Sequence, residues 1–179
     1  MKMKLITLLL ILISSVYSTH AQGNNENSRN IEVRALPTSI KQITYPETAD
    51  LKNYYNHIYF DESPAYQIFR DGKILVSLVN TGTKIKKLQQ SLEQHKIQKD
   101  NRLKKSKSVS FEKSEIIEVN QTRYLVTRFK SNGNELISFT SAYNSFDQQA
   151  YGIIEYKNND KKRANEILNE MLKAIHLKK

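Results

Sequence analysis

The stretch that decides the fold runs from Ser114 to His176. It opens Ile116-Ile117-Glu118-Val119, turns at Asn120-Gln121, continues Tyr124-Leu125-Val126-Thr127-Arg128-Phe129 and turns again at Asn132-Gly133. Leu136-Ile137-Ser138-Phe139, the polar Asn144-Ser145-Phe146-Asp147 and Tyr151-Gly152-Ile153-Ile154-Glu155-Tyr156 follow. Short β-rich runs separated by turn signals read as an antiparallel meander. Ala164, Ile167, Leu168, Met171, Leu172 and Ile175 then recur at steps of three and four, which puts six apolar side chains on one face of a helix. Five of them are large, and at about 1.5 to 3 kcal/mol each for full burial that face has to pack on the sheet.

Several strands carry apolar residues at both alternating sets of positions: Tyr124 and Val126 alternate with Leu125 and Phe129, and Leu136 adjoins Ile137. A sheet wetted on one side alternates more cleanly, so cover is expected on both faces. The fold class is therefore α+β: an antiparallel meander sandwiched between a helix from the amino-terminal half and the carboxyl-terminal amphipathic helix.

Upstream, Tyr66 to Val79 reads as a hairpin about Asp71-Gly72, a pair that favours the primed turns matching strand twist. Pro37 and Pro46 bracket an extended segment, Ile40 to Tyr45, suited to a sheet edge. After the hairpin, Thr81-Gly82-Thr83 is expected to start a helix with Ile85, Leu88 and Leu92 on one face, fraying after Leu92 or Ile97. Gln98 to Ser108, whose single apolar residue is Leu103, is expected to be a long polar loop before a strand at Val109-Ser110-Phe111.

The first residues have a different character. Lys2 and Lys4 precede the apolar run Leu5 to Ile13, and small and polar residues lead to Ala21. This is the pattern of a secretory signal peptide, too short to span a bilayer. The expected division is a signal peptide over 1–21, a disordered tether over 22–30 and a single domain over 31–179, with no transmembrane segment after cleavage and a periplasmic or secreted destination. The tether lacks any aliphatic or aromatic residue with which to offset the entropy of ordering it. The remaining 158 residues can bury about two thirds of their unfolded surface without disulfides. The chain has no cysteine, which excludes a disulfide framework, a thiolate metal site and a thiol nucleophile.

Without the first 21 residues, 26 basic residues face 18 acidic ones, a balance of +8. Between Lys84 and Lys113, ten basic residues (Lys84, Lys86, Lys87, Lys96, Lys99, Arg102, Lys104, Lys105, Lys107, Lys113) face Glu93, Asp100 and Glu112, so most of the excess sits there. Lys84, Lys86, Lys87, Lys104, Lys105 and Lys107 are the candidates for holding an acidic protein or an anionic envelope component by long-range attraction. The same charges also suit a solvated helix face and loop. Nucleic acid is not an expected partner, because no aromatics interleave the lysines to stack bases.

Tyr45, Tyr54, Tyr55, Tyr59, Phe60, Tyr66 and Phe69 form an aromatic cluster. Tyr54, Tyr55, Tyr59 and Tyr66 either make a recognition surface or pack over the core with their hydroxyls at its rim. A recognition surface would fit an immunity-type inhibitor of a secreted toxin or enzyme, and a pocket beneath it would fit a small-molecule carrier.

Catalytic chemistry is thin. His57, His95 and His176 lie far apart and lack metal-ligand spacing, and no Gly-x-Ser-x-Gly elbow or His-Glu-x-x-His motif occurs. His57 with Asp61 and Glu62 is the one acid–base grouping in a loop-like setting. The expectation is a non-enzyme with no metal and no cofactor.

The order of elements, with Tyr124-Leu125-Val126-Thr127, a polar hairpin, Tyr151-Gly152-Ile153-Ile154 and a helix reading Ala164, Ile167-Leu168, Leu172 and Ile175, resembles the PsbP-like family, secreted bacterial members in particular. The resemblance covers the last sixty or so residues. It implies a central antiparallel sheet between helices and a role in binding or assembly without catalysis. The chain departs from the family in having no tryptophan and in its tyrosine-rich amino-terminal part.

Overall fold

The computed structural model describes residues 31–44, 66–81 and 89–177. The expected signal peptide, the tether, Tyr54, Tyr55, Tyr59, His57, Asp61, Glu62, Lys84, Lys86 and Lys87 lie outside them.

Seven antiparallel strands form one sheet. They are β2 (Lys41–Ile43), β3 (Tyr66–Asp71), β4 (Ile74–Asn80), β5 (Val109–Val119), β6 (Thr122–Ser131), β7 (Asn134–Ser141) and β8 (Ala150–Tyr156), in the spatial order β2-β3-β4-β8-β7-β6-β5. The carboxyl-terminal half is the expected meander, and β8 returns to join it to the β3–β4 hairpin. Ile40 is buried just ahead of β2, which occupies an edge as the flanking prolines suggested. A separate two-stranded ribbon pairs β1 (Glu32–Val33) with β9 (Ile175–His176) and ties the two ends of the described domain together.

Turn chemistry fixes the registers. Asn120–Gln121 and Asn132–Gly133 each close a two-residue hairpin with both residues at positive φ, the primed geometry that matches strand twist. In the β3–β4 hairpin Asp71 pairs with Ile74, so the turn residues are Gly72 and Lys73, one position beyond the expected Asp71–Gly72 pair. Only Gly72 has positive φ there, 56°, which is why glycine leads that turn. The strands expected separately at Val109 and Ile116 are one strand. Between Phe111 and Lys113 the register shifts, so Glu112 is an extra residue and both halves keep pairing with β6.

On one face of the sheet lies α2 (Lys161–Ala174). Ala164, Ile167, Leu168, Met171 and Leu172 are buried against Phe69, Val76, Leu78, Tyr124, Val126, Ile137, Phe139 and Ile154. The helix ends one residue before Ile175, which keeps its buried position as part of β9. The Phe139 ring lies over Gly152 on the adjoining strand, where no side chain of its own would fit. Arg163 in the first turn of α2 donates to Asp71 and to Ser39, pinning the helix to the hairpin and to the segment before β2.

The other face carries α1, which differs from expectation. It spans Leu92–Lys105, and residues 89–91 are not helical, so Leu92 begins this helix and does not close one running from Thr83. The stretch expected to be a polar loop, Gln98 to Ser108, is helical through Lys105. Ser91 caps the start: its hydroxyl accepts from the Gln94 amide N–H, and the Gln94 side chain accepts from the Ser91 N–H. Glu93 in the first turn and Arg102, Lys104 and Lys105 in the last turn complement the helix dipole. The two-sided cover read from the strand pattern is therefore present, with α1 as the second layer.

Candidate functional site

Apolar residues alone do not seat α1. Its inner face presents Leu92, Lys99, Asp100 and Leu103, all buried. A helix burying two charged residues needs partners for them, and the sheet supplies hydroxyls. Ser138 of β7 lies opposite Thr127 of β6, which lies opposite Ser114 of β5, so the three share one cross-strand row. Lys99 Nζ donates to Ser138 Oγ at 2.7 Å, and Ser114 donates to Asp100. Adjacent residues on the helix thus reach hydroxyls two strands apart. The Asp100 carboxylate also accepts from Lys96 at 2.8 Å, one turn back.

These contacts set the protonation states. Burial pushes the Lys99 ammonium down to about 7, with the Arg102 charge adding to the effect. Burial likewise pushes His95 down to about 4, helped by Lys99 and Arg102. Burial alone would raise the Asp100 carboxyl, but the hydrogen bonds from Lys96 and Ser114 outweigh it and hold the group below the usual carboxylate range.

The cationic residues divide accordingly. Of the ten counted in sequence, Lys96 is tied to Asp100, Lys99 is buried under the helix and Lys113 is paired with Glu115 at 3.1 Å. Arg102, Lys104, Lys105 and Lys107 remain at the surface, at the end of α1 and just beyond it. None of the four makes an ion pair with another described residue, and the Lys104 ammonium rests 5.3 Å from the centre of the Phe111 ring. Lys104, Lys105 and Lys107 are exposed, as is Arg102, which sequence reading counted but did not single out. Tyr66, from the aromatic cluster, is half-buried on β3 opposite Val79 and faces the same side of the sheet as α1.

One solved structure is similar to this chain at 7% identity. The solution structure of cyanobacterial PsbP (CyanoP) from Synechocystis sp. PCC 6803 is similar with a TM-score of 0.46, over 88% of this chain and 99% of that one. No protein-family model matches the sequence, and neither does any curated protein.

Sequence reading placed Lys99 and Asp100 in a solvated loop and so missed the residues that dock α1. Their signal was present: Ser91 and Gln94 form a capping-box pair, and Leu92 and Leu103 lie three turns apart on one face.

What the arrangement can do follows from exposure. Ser138 with an adjacent amine has the composition of a Ser–Lys nucleophile pair, but Ser138 is fully buried and Lys99 is 6% exposed beneath a packed helix. No acyl substrate reaches that hydroxyl while α1 is seated. Among the described residues no group of three His, Asp or Glu side chains is placed to hold a metal ion, and no helix is long and apolar enough to cross a membrane.

Proposed function

We propose that this protein is an exported, non-catalytic accessory module that docks onto an acidic protein partner through the cationic end of α1. Arg102, Lys104, Lys105 and Lys107 form the described part of the surface; Lys84, Lys86 and Lys87, from the same basic stretch of sequence, lie outside the described residues. The observation that carries the reading is the separation of roles within one basic stretch. Lys96 and Lys99 are consumed by seating the helix, whereas the four cations that follow are exposed and lack acidic partners among the described residues. Clustered, unneutralised charge of one sign raises the encounter rate with an oppositely charged surface and sets its orientation. An acidic protein is favoured over a lipid surface because the one exposed large apolar side chain of α1, Ile97, at 62%, offers too little apolar area to enter a bilayer interface; Phe111 lies under Lys104 and is half-buried.

The test is capture from an extracytoplasmic fraction. Wild-type protein is expected to retain an acidic protein at low salt and release it at high salt. A variant with Lys84, Lys86, Lys87, Lys104, Lys105 and Lys107 all changed to Glu is expected to retain none. Retention that ignores both salt and charge reversal excludes the patch. Selective retention of anionic vesicles in place of protein assigns the patch to the envelope surface.

A further inference from the structure

The sheet face under α1 carries a row of hydroxyls among aliphatic side chains, whereas the face under α2 is mainly aliphatic and aromatic. Ser77 of β4, Ile153 of β8, Ser138, Thr127 and Ser114 fall in one row across five adjacent strands, and Thr140 stands two residues beyond Ser138 on the same side. Thr127, Ser138 and Thr140 are each at most 1% exposed. Ser114 has Asp100 for a partner and Ser138 has Lys99, but Thr127 Oγ1 and Thr140 Oγ1 have no hydrogen-bond partner. Both flank the point where Lys99 lands: Thr127 is directly across from Ser138, and Thr140 is directly across from Tyr151, whose ring centre lies 5.6 Å from Lys99 Nζ.

A buried ammonium needs a counter-charge, and among the described residues the negative charge that acts on Lys99, the Asp100 carboxylate, is outweighed by burial and by the Arg102 charge. Lys99 takes part in no ion pair there. Asp100, next to it on α1, is already engaged by Lys96 and Ser114. Glu155, on the same sheet face in the next row, accepts from Asn134. Arg102 and His95, the other titratable groups near it on α1, bring no negative charge. One amine and three hydroxyls, two of them unpartnered, thus share a buried site in which Ser138 Oγ accepts from Lys99 and no carboxylate does. We infer that Lys99, Thr127, Ser138 and Thr140 together bind a small monovalent anion beneath α1. The ammonium supplies the charge, and the hydroxyls turn their hydrogens toward the ion. A halide and the carboxylate of a small organic acid share this chemistry, and the overlying helix excludes larger anions.

The test uses the full chain at neutral pH and fixed ionic strength, melted in chloride, in formate and in gluconate, which is too bulky to enter. Wild type is expected to melt several degrees higher in chloride or formate than in gluconate. The larger of the two shifts tells halide from carboxylate. Lys99→Met and Thr127→Val are expected to abolish the difference. Thr127→Val removes an unpartnered hydroxyl at constant shape, so it is also expected to melt no lower than wild type in gluconate. If Lys99→Met does not fold, Thr127→Val carries the test alone. Equal melting of wild type in all three salts overturns the inference, as does a salt difference that survives in the variants. Bromide-soaked crystals showing only water between Lys99 and Thr127 overturn it as well.

Discussion

Lys99 Nζ lies 2.7 Å from Ser138 Oγ, and that bond joins the middle of α1 to a central strand of the sheet. It makes the second helical layer depend on a titratable group, whereas the α2 layer depends on apolar burial.

The pH dependence follows from the lowered Lys99 value. Unfolded, the amine titrates near 10.5, and folded, near 7. Between these values the unfolded chain binds more protons, so stability rises with pH across that window and levels off above it; below about 7 both states are protonated and the contribution is lost. Urea melts from pH 7 to pH 10 in gluconate, where no small anion neutralises the ammonium, are expected to show a rise of a few kcal/mol that Lys99→Met removes. A flat profile in the wild type contradicts the burial of a free amine.

His95 has the same sign in a lower window. Its stabilising contribution is full above the unfolded value of 6.5 and is lost as pH falls toward about 4. His95→Gln is expected to flatten this part of the wild-type profile, read as urea midpoints between pH 7 and pH 4.

The cap on α1 is separable from its seat. Ser91→Ala removes the hydroxyl that accepts from Gln94 and is expected to cost about 1 kcal/mol, measured by urea unfolding. Ser91→Asp is expected to keep nearly all of the stability.

Close packing under α2 is tested at Gly152. A methyl group there meets the Phe139 ring, so Gly152→Ala is expected to destabilise by about 1 to 3 kcal/mol. Gly152→Ala combined with Phe139→Leu is expected to recover part of that loss.

Gln121 carries a different backbone burden, a positive φ of 63° in the β5–β6 turn. Gln121→Gly is expected to stabilise by about 1 kcal/mol, visible as a higher melting temperature. A lower melting temperature contradicts the left-handed turn.

Legibility of the fold followed the strength of periodic signals. Ala164 to Leu172 at helical spacing, and the apolar runs of β6, β7 and β8 between turn signals, left little choice, because burial between α2 and the sheet is mainly apolar. Asn132–Gly133 announced its turn, whereas Asn120–Gln121 adopts the same primed geometry without a glycine. α1 escaped because its buried positions hold Lys99 and Asp100, so hydrophobic periodicity vanishes where the helix is best seated. Glu112 hid the continuity of β5 in a similar way: one bulged residue shifts the alternation that marks a single strand. In the candidate site, Lys104, Lys105 and Lys107 were legible as a charge run. That Lys96 and Lys99 do not belong to the exposed surface emerges only from three-dimensional pairing.

The most direct test of the docking account compares the affinity of the captured partner for wild type, for a Lys104→Glu, Lys105→Glu, Lys107→Glu triple variant and for Tyr66→Ala, each at low and high salt. The account predicts at least a tenfold loss for the triple variant, about 1.4 kcal/mol or more, with most of the salt dependence gone and Tyr66→Ala close to wild type. Unchanged affinity in a folded triple variant, or a larger loss in Tyr66→Ala, would contradict it.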